Sequence, residues 1–321
     1  MRAPTVGGMY RKRSEKRGEN LELIKFTDEQ KSKLLRCFGG SFVEALPSRL
    51  EYYAKLWKLS DFSLIEYYSW YCLFICHSKK HGDCVLKVCG GGKDVYINEI
   101  RFFAEVKENR RYVKAYEVDE ECGALLLQRV IPGTTLKAEP SLDKRISAFI
   151  DVWKKAHIVP HNATLFETYL ETIQRAAKAS WKHGDIPVLR KAAEKMVAVC
   201  RELYEKYPER LLLHSDLHGD NLLKNSQEEY IIVDPHGRIG PLVCDLGRYI
   251  ANEHFDAEKD KRDEVAEYTI EKLSKELNLP QIDVARSFFA DITLMACWGA
   301  EDGEVNCDNV ETYEGLLQEE C

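Results

Sequence analysis

The period of the apolar positions changes along the chain. Through the first third, short apolar runs alternate with turns. "CVLKVC" (Cys84 to Cys89) alternates as a strand does, with Val85, Lys87 and Cys89 on one face and Cys84, Leu86 and Val88 on the other. "GGGK" follows, and "DVYINEIRFFAEV" then has helical spacing. Val95, Phe102 and Val106 share its apolar stripe, and Asp94 stands where an N-cap belongs. "GALLLQRV" (Gly123 to Val130) predicts a second buried strand, and "IPGTTL" (Ile131 to Leu136) brings the Pro and Gly punctuation of a hinge. From about Leu142 to Tyr207 the pattern is helical. Two short strands, "RLLLHS" and "EYIIVD", interrupt it with a loop between them, and from Asp245 it is helical again up to a last acidic segment. No internal repeat is visible. The pattern predicts an α+β chain in two parts: a small β-rich lobe over residues 1–130, its first 26 residues a mobile tail, and a larger helical lobe over residues 131–321.

Composition narrows the function more than the fold. The chain has 321 residues and a formal charge of -7, with 45% hydrophobic and 31% charged residues, as expected of a soluble protein with a sizeable core. An acidic balance argues against nucleic acid as partner, because that binding neutralises phosphates with Lys and Arg. The basic "YRKRSEKR" (Tyr10 to Arg17) is short, contains Glu15 and precedes any apolar periodicity, so it reads as a solvated tail. No run approaches the ~20 apolar residues of a membrane span, and the N-terminus lacks a secretory pattern. The eleven cysteines are scattered, with no C-x-x-C pair. They suit small core residues of a cytoplasmic protein.

The densest chemistry is "LLLHSDLHGDN" (Leu211 to Asn221). His214 and His218 are four apart and on a helix could share a zinc, but Ser215 stands where a metalloprotease helix has its Glu, and Gly219 disfavours helix. Both histidines read better as braces of a tight loop. The alternative uses Asp216 and Asn221 with Asp234, which ends "EYIIVD". If the two strands are neighbours, Asp216 and Asp234 reach one rim with Asn221 between them. Two carboxylates and an amide oxygen are the hard ligands magnesium accepts alongside water and phosphates. Phosphoryl transfer needs such a set, together with a strand lysine paired to a helix glutamate. Lys87 lies mid-strand, and Glu99 falls on the Val95–Phe102–Val106 stripe, where a carboxylate is costly unless paired.

At these residues the chain resembles the aminoglycoside phosphotransferases, within them the streptomycin 6-phosphotransferase and hydroxyurea phosphotransferase group. The resemblance rests on "HSDLHGDNLL", "IIVDPHGRIGPLVCDLGRYIANE", "CVLKV" with Glu99, "LLLQRVIPGTTL" and "LMACWGAEDGE", and covers roughly Trp57 to Glu304. It implies a bilobal, protein-kinase-like fold and transfer of the γ-phosphoryl of ATP or GTP, with magnesium, to a hydroxyl of a small cationic acceptor such as an aminoglycoside antibiotic. Asp216 would be the catalytic base, with Asn221 and Asp234 on the metal. Lys87, held by Glu99, would bind the α- and β-phosphates, and the strand end from Gln128 to Val130 would meet the adenine. Ser69 would donate to a phosphate, His214 and Asp245 would brace the catalytic loop, and Glu301 and Asp302 would attract the acceptor's cations. The departures are Ser215 where Gly is usual, "LHGDN" where Pro-Gly often precedes the Asn, His236 where Lys is frequent, Pro241 where Asp is common, and a phosphate-covering turn without glycine. The alternatives are a metabolite kinase of the same fold, acting on choline or an amino sugar, and a non-catalytic nucleotide-binding module. A protein kinase fits less well, since no A-P-E motif closes an activation segment. Oligomeric state is left open.

Overall fold

The computed structural model describes residues 24–67, 69–180 and 186–303, with the backbone alone for 93–95. The basic stretch Tyr10 to Arg17, the Asp94 cap, the Val95 stripe position and the acidic tail beyond Asn309 lie outside the described residues. The chain divides into two compact units, one of residues up to Phe103 plus Val113–Arg129, the other of Ala104–Tyr112 and the residues from Val130.

The first unit is a five-stranded antiparallel sheet with helices. Its strands are β1 (Leu59–Ile65), β2 (Tyr71–Ser78), β3 (Gly82–Cys89), β4 (Ala115–Asp119) and β5 (Ala124–Gln128), in the spatial order β1-β2-β3-β5-β4. Helices α1 (Asp28–Phe38) and α2 (Gly40–Leu56) precede the sheet, and α3 (Lys93–Glu105) follows β3. Alternation sorts the side chains. Cys84, Leu86 and Val88 of β3 join Phe74 and Leu126 on one face, packed against Leu34, Leu46 and Leu50 of α1 and α2. Lys87 therefore points to the opposite face, between its cross-strand partners Leu73 and Leu125. Helices α1 and α2 were not expected. Their signals are nevertheless local: Thr27 and Gln30 form a capping box, and the buried Phe42, Leu46, Leu50 and Tyr53 keep helical spacing across Pro47.

The second unit holds two small sheets among helices. Strand β6 (Pro132–Thr135) occupies the stretch expected to be a hinge, and pairs with β8 (Leu222–Asn225), which pairs in turn with β9 (Tyr230–Ile232). Strand β7 (Leu211–Leu213) pairs with β10 (Arg238–Gly240). This corrects the expectation that the two strands flanking the cluster are neighbours. Strand β8, which the sequence did not announce, takes the place beside β9. The helices are α4 (Leu142–Ala156), α5 (Tyr169–Ala179), α6 (Pro187–Lys206), α7 (Gly247–Asp256), α8 (Arg262–Leu277) and α9 (Gln281–Glu301). Helix α9 is buried along most of its length and forms the spine of this unit. At Gly247 the backbone of α7 lies directly on α9, so that a Cβ would come within 2.2 Å of the Ser287 carbonyl oxygen. Tyr249, two residues on, stacks on Phe149 of α4 with ring centroids 3.8 Å apart.

Candidate active site

In the first unit Lys87 Nζ donates to Glu99 Oε1 at 2.6 Å, with both side chains buried. The ammonium also lies 4.2 Å from the centroid of the Tyr71 ring. A buried carboxylate or ammonium is tolerated when each compensates the other, which explains a glutamate on the buried side of α3. Ser69 is exposed in the connection between β1 and β2. Gln128 ends β5 and donates its backbone N–H to the Lys114 carbonyl, with Val130 two residues beyond. Of the glycines after β3, Gly90 answers to packing, since a Cβ there would sit 2.3 Å from Cδ1 of Phe38.

In the second unit β7 ends in the loop that carries the cluster, and one buried carboxylate organises its start. Asp245 accepts the His214 N–H on Oδ2 at 2.8 Å and the Ser215 N–H on Oδ1 at 2.7 Å, while His157 Nε2 lies 2.9 Å from Oδ2. Burial alone would raise the Asp245 carboxyl. The hydrogen bond and charge of His157, with the Ser215 N–H, outweigh burial and hold it below its ordinary value. His214 is fully buried, and burial pushes it down to about 4. The neutral ring fits its two partners: Nε2–H donates to the Val233 carbonyl at 2.9 Å and Nδ1 accepts the Asp216 N–H at 3.2 Å. It thus ties the loop to the end of β9. Ser215 sits between these contacts in a left-handed conformation, φ 63°.

Asp216 has two differently engaged oxygens. Oδ2 lies 3.3 Å from Asn221 Nδ2, 3.6 Å from His218 Nε2 and 3.7 Å from His236 Nε2. Oδ1 lies 3.3 Å from Arg248 Nε. Burial would raise this carboxyl, but His236, the nearby His218 imidazole and the Arg248 charge prevail and hold it far below the carboxylate range. Asn221 donates Nδ2 to the Asp216 carbonyl at 2.9 Å, which turns its amide oxygen the other way. The Asn221 carbonyl accepts the Val233 N–H at 3.0 Å, so the β8–β9 hairpin brings Asn221 alongside the residue that precedes Asp234. Asp234 is half-buried with φ 60°. His236 feels both carboxylates: burial lowers it, while Asp216 and Asp234 oppose the shift. Asp216, Asn221 and Asp234 are therefore gathered at one end of the hairpin, although by a strand pairing other than the one expected.

The zinc alternative finds no support in this geometry. His214 and His218 stand on a strand end and a loop and hydrogen-bond in different directions. No three His, Cys, Asp or Glu side chains cluster as a metal site among the described residues. The Asn221 amide and the Asp234 carboxylate carry hard oxygens of the kind magnesium accepts beside waters and phosphate oxygens.

Three residues around the loop escaped the sequence reading. His157 of the α4 end holds Asp245. Arg248 in α7 and Asp291 in α9 lie behind Asp216, with Arg248 Nε 3.2 Å from Asp291 Oδ2 and its guanidinium 5.5 Å from the Trp298 ring centroid. A usable signal was present, since Asp291 stands alone in the apolar run "SFFADITLMAC". Glu301, the last residue of α9, is half-buried, and its charge acts on Arg175, which is hydrogen-bonded to Glu167; Asp302 is exposed.

The antiparallel sheet unit and the helical unit together give a kinase-like α+β fold. Residues 105–303 match the family described as aminoglycoside/hydroxyurea antibiotic resistance kinase, and the chain belongs to that family. It is a kinase that phosphorylates a hydroxyl of its acceptor. Among solved structures, choline kinase LicA from Streptococcus pneumoniae is similar with TM-score 0.62 and 13% identity, over 85% of this chain and 98% of that one. The ethanolamine kinase of Plasmodium vivax gives 0.59 and 14%, over 93% and 95%. Aminoglycoside phosphotransferase APH(4)-Ia gives 0.58 and 13%, over 85% and 97%. At such identities the likeness is one of fold. No curated protein sequence matches the chain. Among the described residues no helix is long and apolar enough to cross a membrane.

Proposed function

We propose that this chain transfers the γ-phosphoryl of ATP or GTP to a hydroxyl of a small cationic acceptor of the aminoglycoside type, with Asp216 as general base. The observation that carries the reading is geometric: Asp216 Oδ2 lies 3.3 Å from Asn221 Nδ2, and the Asn221 carbonyl accepts the N–H of Val233, the residue before Asp234. Such a carboxylate accepts a hydroxyl proton as the nucleophile attacks. Asn221 and Asp234 would hold magnesium, which when bound would neutralise charge on the phosphate oxygens. Lys87, fixed by Glu99, serves the α- and β-phosphates. The backbone from Gln128 to Val130 serves the adenine, and Ser69 serves a phosphate. His214 and Asp245 fix the loop. Glu301 and Asp302 favour cations, although the charge Glu301 shares with Arg175 weakens its part. Thermostable mutants of APH(4)-Ia have been crystallised with ADP and hygromycin B and with AMP-PNP and hygromycin B, and LicA with AMP, which supports the nucleotide and acceptor classes.

The test is release of nucleoside diphosphate in the presence of streptomycin, hygromycin B, hydroxyurea, choline or ethanolamine. Turnover with an aminoglycoside, lost by ~10²–10⁴-fold in Asp216→Asn with nucleotide binding intact, is the expected result. Calorimetry with AMP-PNP should show that magnesium tightens binding to the native chain but not to Asp234→Ala. Turnover with choline alone would overturn the acceptor class.

A further inference from the structure

Arg248 is buried in α7 between two carboxylates, its Nε 3.3 Å from Asp216 Oδ1 and 3.2 Å from Asp291 Oδ2. Asp291 is itself buried in α9, and the close approach at Gly247 sets the two helices at the separation this arrangement requires. Neither Nε nor Nη2 of Arg248 makes an aligned hydrogen bond, so the guanidinium acts on both carboxylates through charge. We propose that Arg248, backed by Asp291, is a positioning residue that fixes the rotation of the Asp216 carboxylate and leaves Oδ2 as the oxygen that receives the acceptor's proton.

The inference rests on reading Asp216 as the base. An aspartate carboxylate turns in a broad, nearly two-fold torsional well, so its oxygens interchange unless something distinguishes them. Here Arg248 claims Oδ1, while Oδ2 is left with Asn221, His218 and His236. In the transfer step the acceptor oxygen bonds the γ-phosphorus, the bond from that phosphorus to the leaving diphosphate oxygen breaks, and the hydroxyl proton passes to Oδ2. Arg248 paired with Asp216 alone would compensate the base fully. Asp291 shares the cation and leaves Asp216 with net negative charge. A pair kept merely to join α7 to α9 is a weak reason for burying three charges, because apolar residues do that as well or better.

The experiment compares Arg248→Met, Arg248→Lys and Asp216→Asn. Diphosphate release from magnesium-ATP is measured with streptomycin and with water as acceptor, AMP-PNP affinity by calorimetry, and the Asp216 torsion by crystallography. Arg248→Met should lower kcat by about 10²-fold, the scale of a misplaced reacting group, with AMP-PNP affinity unchanged. Its Asp216 carboxylate should be rotated from the native torsion, and Arg248→Lys should recover most of the rate. A native Asp216 torsion in Arg248→Met, or a native kcat beside an inactive Asp216→Asn, overturns the proposal. Full turnover by Asp216→Asn overturns the base reading instead, and the torsion then still decides whether Arg248 holds the carboxylate. Arg248→Gln serves for both measurements if the methionine variant does not fold.

Discussion

Ser215 sits where the loop turns from His214 into Asp216, in a left-handed conformation with φ 63°. A side chain there costs roughly 1–2 kcal/mol, and the Ser215 hydroxyl is buried with no hydrogen-bond partner, a second unfavourable contribution. The conformation is imposed by Asp245, which takes the N–H groups of both His214 and Ser215. Glycine fits this backbone without strain, although its extra freedom when unfolded returns about 0.5–1 kcal/mol. Ser215→Gly should therefore stabilise the chain by about 1 kcal/mol, seen as a higher urea midpoint at unchanged slope. An unchanged or lower midpoint would show that the serine relieves its strain elsewhere.

Helices α7 and α9 meet at Gly247, and the whole disposition of Arg248 depends on that contact. In Gly247→Ala the added methyl would lie 2.2 Å from the Ser287 carbonyl oxygen and 2.9 Å from Asp291 Cβ. The helices must separate, at a cost of roughly 1–3 kcal/mol. A lowered melting temperature together with lost turnover is the expected outcome; a native melting temperature would mean the helices separate freely. Elements of this kind show what periodicity can report. Strand β3 and the place of Lys87 on it were legible because alternation is local, and Glu99 was legible as a carboxylate on an apolar stripe. The loop that carries Asp216 was legible from the apolar run before it and the helix-breaking Gly219 within it. The partner of β7 was not, since pairing depends on residues far along the chain. Arg248 was hidden because a single arginine in a helix looks like any surface residue until the opposite helix is in place.

At the scale of the whole molecule, two buried groups give opposite responses to acid. His214 is pushed down to about 4 by burial, so the unfolded chain binds its proton first. Its contribution is complete above pH 6.5 and is lost as pH falls toward about 4, up to roughly 3 kcal/mol. Asp291 is raised to about 6, chiefly by burial and against the pull of Arg248. Its contribution is present below the unfolded value near 3.8 and is lost as pH rises toward about 6. Between pH 4 and 6 the two slopes offset each other. Asp291→Asn should therefore make stability fall more steeply from pH 6 to pH 4 than in the native chain, as followed by urea unfolding. Equal slopes would remove Asp291 from this balance.

The same scale governs acceptor choice, where several weak contacts act together. Glu301→Gln with Asp302→Asn should raise the acceptor's KM a few-fold and leave that for nucleotide unchanged, since exposed charges each contribute ~0.2–1 kcal/mol. The effect should fade at high salt, where screening acts within ~10 Å at 0.1 M. No change at low salt would remove these carboxylates from the acceptor site.

The buried Lys87–Glu99 pair allows catalysis to be separated from capture in a living cell. Replacing one partner strands a charge and should destabilise by roughly 3–5 kcal/mol, whereas replacing both with apolar residues of similar volume is often neutral. Lys87→Met with Glu99→Leu should therefore remain folded, with a native melting temperature, while Glu99→Leu alone should not. A cell expressing the double variant would contain the native amount of a chain that still presents Asp216, Glu301 and Asp302 but has lost Lys87, the residue proposed to bind the phosphates. Should such a cell survive a drug as well as one with the native protein, protection would come from sequestering the compound; should it die, protection would come from modifying it.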